Sequence, residues 1–192
     1  MLYLYRSRCS AKRGPHLAES GRSGSMCRMN QQESPTSYRK VLFLCSGNYY
    51  RSRFAEILFN LRAEAVGLDW RADSRAVDLP GSRPYIRGPI SPFCVEGLAA
   101  RGIHLDGDIR FPIQAAESDL TGCDLAIAMK ETEHRAPLER AFPASSARVE
   151  YWNIHDIDCA EPVDALAILE MQIEQLLHRL ARGKSGGRQA AG

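Results

Sequence analysis

Apolar residues fall into short blocks that alternate between two periods. Val41-Leu42-Phe43-Leu44 is wholly apolar, as expected of a central parallel strand covered on both faces. From Arg51 to Val66, Phe54, Ile57, Leu58, Leu61 and Ala65 recur at helical spacing, and Gly67 supplies a stop. Trp70–Val77 reads as a second strand. A Pro/Gly-rich loop follows, and Ser91-Pro92 opens a helix ending near Gly102. Leu125–Met129 is a third strand, and Lys130–Ala141 reads as a helix that Pro137 weakens. Val149–Ile154 is a fourth strand. Pro162 then begins a long helix with Leu166, Leu169, Ile173, Leu176, Leu177 and Leu180 on one face.

Strands alternating with helices predict an α/β domain with a parallel sheet and right-handed crossovers. The predicted domain spans residues 39–183. Residues 1–38 are polar and aperiodic, and predict either a disordered extension or a start codon placed too early, with Met26 or Met29 beginning the protein. Residues 184–192 read as a flexible tail.

Composition narrows the class. A net charge of +2 does not call for a nucleic-acid partner. No window has the apolar length of a signal peptide core or a membrane span, which predicts a cytoplasmic protein with no membrane partner. The 6 cysteines contain no C-x-x-C, and the 5 histidines form no metal-binding pair, so neither a metal nor another cofactor is expected. Of 25 basic residues 21 are Arg, whose planar fork suits phosphate, although most of them read as solvated surface, Arg53 and Arg62 among them.

In parallel sheets of this kind ligands bind at the carboxyl ends of the strands, where strand order reverses. The first strand ends in Cys45-Ser46-Gly47-Asn48-Tyr49-Tyr50-Arg51-Ser52, directly before a helix. Such a loop can aim successive N–H groups inward as an anion nest, reinforced by the helix N-terminus. Gly47 and Asn48 tolerate left-handed backbone, Arg51 can hold two phosphoryl oxygens, and Ser52 can cap the helix and donate to sulfur. These surroundings favour a Cys45 thiolate aimed at a phosphorus atom held in Ser46–Ser52. A general acid is needed on the same rim, and Asp156, Asp158 and then His155 are the candidates. Tyr49 and Tyr50 could flank a substrate ring or pack on the sheet. Cys94, Cys123 and Cys159 read as core or near-surface thiols.

Val41 through Ser52, with C-x-G-N-x-x-R-S after a strand, resembles the low-molecular-weight protein tyrosine phosphatases. A looser similarity in the order of elements extends to about Leu180. The resemblance implies a flavodoxin-like, four-stranded parallel sheet in a three-layer sandwich. It implies Cys45 as nucleophile, Arg51 as phosphate clamp and Asp156 as acid. Asn48, Ser52 and Ser74 would support the loop, with Arg110 where the family has a buttressing His. The implied substrate is a phosphotyrosine protein or a small phosphomonoester. Several positions depart from the family pattern: Tyr50 stands for a second loop cysteine, Arg53 for Pro, Lys130 for Asp, and Ile157-Asp158 for Pro and an aromatic. Two other activities fit the fold. An arsenate reductase would need resolving cysteines near Cys45, and a silent phosphate-binding module would not need a thiol.

Overall fold

In the computed structural model, which describes residues 38–185, the central strand β1 (Arg39–Cys45) lies between β2 (Trp70–Ala76) and β3 (Leu125–Ala128), with β4 (Val149–Tyr151) beyond β3. All three pairings are parallel, and the order is β2-β1-β3-β4. Six helices join and cover the strands: α1 (Arg51–Ala65), α2 (Leu79–Ser82), α3 (Pro92–Ala99), α4 (Glu117–Thr121), α5 (Glu131–Ala141) and α6 (Pro162–Ser185). The expected N-terminal extension up to residue 37 and the end of the tail lie outside the described residues.

The alternation of β1 divides the interior. Val41, Phe43 and Cys45 face one core, shared with Phe54 and Leu58 of α1, Cys94 and Leu98 of α3, and Leu166, Leu169 and Ile173 of α6. Leu42 and Leu44 face a second core with Leu120 of α4 and Leu138 of α5. Helices on both faces make the three-layer sandwich, and they explain why the strand has no polar positions after Lys40. Helix α1 ends as its sequence dictates. Gly67 takes φ 63°, its N–H bonds to Glu64 O at 3.1 Å, and Leu68 N–H bonds to Ala63 O at 2.8 Å.

α2 forms where a Pro/Gly-rich loop was expected, and β4 and α4 differ as well. β4 stops at Tyr151, because Asn153 turns into an antiparallel bridge with Lys130 and Ile154 N–H bonds to Met129 O at 2.8 Å. α4, held by Ala116 N–H on Asp119 Oδ2 at 2.9 Å, is too short to show a period in sequence. Pro137 sits inside α5 without ending it, at the cost of the one bond its missing N–H would have made. Among the described residues, no helix is long and apolar enough to cross a membrane.

Strand order reverses between β1 and β3. The carboxyl ends of those strands, Cys45 and Ala128, therefore flank the crevice where this topology binds ligands.

Candidate active site

Between the end of β1 at Cys45 and the start of α1 at Arg51 the chain makes a tight loop. Three of its carbonyls are turned outward. Cys45 O accepts from Val77 N–H (2.9 Å), Ser46 O from Asp78 N–H (3.0 Å), and Tyr49 O from Ser91 N–H (2.9 Å). In a planar trans peptide the following N–H points the opposite way, so the amides of Ser46, Gly47 and Tyr50 face the loop's interior. Asn48 takes φ 51°, the left-handed backbone that a nest requires. At Gly47 a Cβ would lie 2.9 Å from Ser82 Cβ, so the approach of α2 to the loop needs glycine there.

A chain of hydrogen bonds runs behind this loop. Asn48 Oδ1 accepts from Arg110 Nη1 (2.9 Å) and Ile113 N–H (3.1 Å), which leaves its Nδ2 to donate to Ser74 Oγ (2.7 Å) and Ser52 Oγ (3.1 Å). Ser52 Oγ lies 3.0 Å from Cys45 Sγ. Because Ser52 accepts from Asn48, its single hydrogen is available to the sulfur. At the other end, Glu56 Oε2 takes Ser74 Oγ–H (2.5 Å), Arg53 Nη1 (3.0 Å) and Arg110 Nη2 (2.7 Å). Burial pushes the Arg110 guanidinium below its ordinary pKa, and Glu56 opposes that shift. Asn48, Ser52 and Ser74 are all fully buried.

Arg51 is 1% exposed, so its charge must be met within the protein. Nη1 donates to Ile154 O at 3.0 Å. Nη2 meets Asp156 Oδ2 at 2.6 Å and Glu133 Oε2 at 2.8 Å. Burial works against the cation, but Cys45, Asp156 and Glu133 outweigh it and raise the Arg51 pKa. Burial likewise opposes ionisation of Glu133, and Arg51 overrides it, so that carboxyl sits below its ordinary range. Lys130 Nζ is 3.1 Å from the other Glu133 oxygen and 3.0 Å from His155 Nδ1. His134, almost fully buried, lies 3.2 Å from Ser46 Oγ, and burial followed by the Arg51 charge pulls its pKa down to about 4. It is neutral at neutral pH.

Cys45, Ser46, Gly47, Asn48, Arg51, Ser52, Ser74 and Asp156 thus come together in one place. Arg110 lies on Asn48 and Ser74, where the resemblance put it. Other expectations change. Ser52 makes no capping bond to α1, because its hydroxyl is committed between Asn48 and the sulfur. Tyr50 is buried, packs edge-on against Phe93 and donates to Pro162 O at 3.1 Å, so it serves the core. Tyr49 pins the neighbouring loop through Arg87, donating to its carbonyl at 2.9 Å. Asp158 faces exposed Cys159, whose thiol it pushes upward. Arg53 is not surface charge but 4% exposed on Glu56, and Arg62 pairs with Glu170 and Glu174 of α6. Glu133 and Glu56 were not anticipated. Their only sequence signal is an i,i+3 partner of opposite sign, Lys130 and Arg53 respectively.

Known proteins share this fold. Comparison with curated protein sequences found no match. Among solved structures, a low molecular weight protein tyrosine phosphatase from T. tengcongensis is 27% identical, with TM-score 0.61, covering 73% of this chain and 99% of that one. YfkJ from Bacillus subtilis is 26% identical with TM-score 0.66, covering 77% and 98%. The YwlE arginine phosphatase, solved with a phosphorylated active-site serine in place of its cysteine, is 25% identical with TM-score 0.58, covering 78% and 98%. The sequence profile of low molecular weight phosphotyrosine protein phosphatases matches residues 40–185, so the chain belongs to that family and carries its phosphatase fold and loop.

Proposed function

We propose that this phosphatase hydrolyses phosphotyrosine in proteins and small aryl phosphates through a phosphocysteine on Cys45, with Arg51 as clamp and Asp156 as general acid. The carrying observation is the meeting of three groups. The Cys45 sulfur receives Ser52's hydrogen, the loop amides face inward beside it, and Arg51 at the loop's end reaches Asp156.

In the first step the thiolate attacks phosphorus as the ester P–O bond breaks, and Asp156 gives its proton to the leaving oxygen. The loop amides and Arg51 hold the equatorial oxygens. In the second step Asp156, now a carboxylate, takes a proton from water as that water attacks phosphorus and the S–P bond breaks. Phosphate leaves and Cys45 returns as thiolate. The phosphorylated serine of YwlE, at the active-site position of a relative, supports phosphoryl transfer to this loop position.

The other activities fit less well. A reductase relay needs resolving thiols that reach Cys45 in turn, but Cys94 is fully buried with its thiol pushed up to about 12 by burial, and Cys123 lies in the other core, which leaves exposed Cys159 alone among the described residues. A silent binding module gives no reason for the Ser52–Cys45 contact. The four described cysteines are all free, which supports a reducing compartment such as the cytoplasm.

The test compares turnover of phosphotyrosine, phosphoserine and phosphoarginine peptides by the full chain. Hydrolysis of the tyrosine ester in preference to the other two is the expected result. Preference for phosphoarginine would transfer the YwlE specificity to this chain and overturn the substrate assignment.

A further inference from the structure

Glu133 is the one carboxylate on the clamp to which the proposed chemistry gives no task. Its position conflicts with the clamp's work. A guanidinium can grip two phosphoryl oxygens side-on, through Nε and the adjacent Nη2, or end-on, through both Nη atoms. Each grip uses an N–H of Nη2. Both Nη2 contacts of Arg51 are carboxylates, Asp156 at 2.6 Å and Glu133 at 2.8 Å, and Nη1 already serves Ile154 O. A phosphoryl group cannot be held in two-point fashion until one carboxylate moves.

The two carboxylates differ in what they can move to. Asp156, as the acid, carries a proton when substrate is bound and then has little claim on the cation. Glu133 is below its ordinary pKa range and stays charged. It is the anion that competes with the incoming phosphoryl group. It also has a second cation in place, because Lys130 Nζ touches its other oxygen at 3.1 Å. Neutral His134 also faces Glu133, at 3.8 Å, and the Cys159 thiol lies within reach of its charge.

We propose that Glu133 is a displaceable stand-in for a phosphoryl oxygen on Arg51, handed to Lys130 when phosphate binds, so that the Lys130–Glu133 pair sets affinity for phosphoryl groups. This rests on the phosphatase reading above. It makes Glu133 a competitor of substrate and Lys130 the residue that removes the competitor.

Calorimetric titration of the full chain with inorganic phosphate tests the idea, using wild type, Glu133→Gln, Lys130→Met and the double variant. Removing one competing charge at contact distance is expected to tighten phosphate binding about five-fold or more in Glu133→Gln. Lys130→Met is expected to weaken it, and to do so less in the Glu133→Gln background, where nothing is left to hand over. Unchanged or weaker binding by Glu133→Gln overturns the proposal, the latter making Glu133 a residue that merely holds Arg51 in place. An equal effect of Lys130→Met in both backgrounds overturns it as well, since Lys130 would then act on phosphate directly. If Glu133→Gln does not fold, Glu133→Asp, one methylene shorter, takes its place with the same expected sign. Turnover of p-nitrophenyl phosphate by wild type is read in parallel. Its absence would sink the phosphatase reading, while the phosphate titration would still judge the competition between Glu133 and phosphate.

Discussion

Arg51 and Asp156 are 105 positions apart in the chain and meet at 2.6 Å across the carboxyl end of the sheet. One stands at the start of α1, the other just past β4, so the parallel order of the strands brings them together. If Asp156 is the acid, its replacement should matter most where the leaving group is poor. Asp156→Asn is expected to lower kcat by about two decades, ~2.7 kcal/mol, on phenyl phosphate, and less on p-nitrophenyl phosphate. Asp158→Asn is expected to behave as wild type on both. Stopped assays with the two esters decide it.

Arg51 is held at three points by groups that only a fork can satisfy. Arg51→Lys keeps the charge and loses the fork. A drop in kcat/KM of about a thousand-fold is expected on p-nitrophenyl phosphate. A lysine variant within about ten-fold of wild type would show that charge alone suffices.

Asn48 combines left-handed backbone with four side-chain hydrogen bonds in a fully buried position. Asn48→Ala should lose on both counts, by roughly 2–4 kcal/mol of folding stability. Asn48→Gly relieves the backbone term and leaves the loss of the amide. Urea unfolding of the two variants separates the terms, and glycine is expected to be the more stable.

His134 gives a pH signature. Its folded pKa of about 4 lies below the ordinary 6.5, so the unfolded chain binds the proton more readily. The stability that the neutral ring contributes is therefore present above about 6.5 and is lost as pH falls toward 4, to a limit on the order of 3 kcal/mol. His134→Gln is expected to flatten the change in urea midpoint between pH 7 and pH 5, a window above the ordinary carboxylate range. An unchanged slope in that variant would contradict the assignment.

The sequence carried the site as far as covalent spacing and periodicity reach. Cys45 through Ser52 is one contiguous loop after an apolar block, so its chemistry was legible without a fold. Reading β4 as a strand on the same rim left Asp156, Asp158 and His155 open, and only the resemblance singled out Asp156. Glu133 was hidden for two reasons. Pro137 blurred the helix that carries it, and Lys130 with Glu133 looks in sequence like any solvated i,i+3 pair. Arg53 was misread because its burial comes from the fold around α1, where Glu56 meets Arg110 from another segment. The early end of β4 depends on tertiary bonds from Ile154 to Met129 and Arg51, which no local pattern reports.

The central claim is that phosphate passes through the Cys45 sulfur. We would mix the enzyme with p-nitrophenyl phosphate, stop the reaction with acid within the first turnover, and locate phosphate by mass spectrometry of the peptide carrying Cys45. Phosphate on Cys45 is expected in the wild type, and neither phosphoenzyme nor turnover in Cys45→Ala. Turnover that survives in Cys45→Ala, or phosphate found on any other residue, would contradict it.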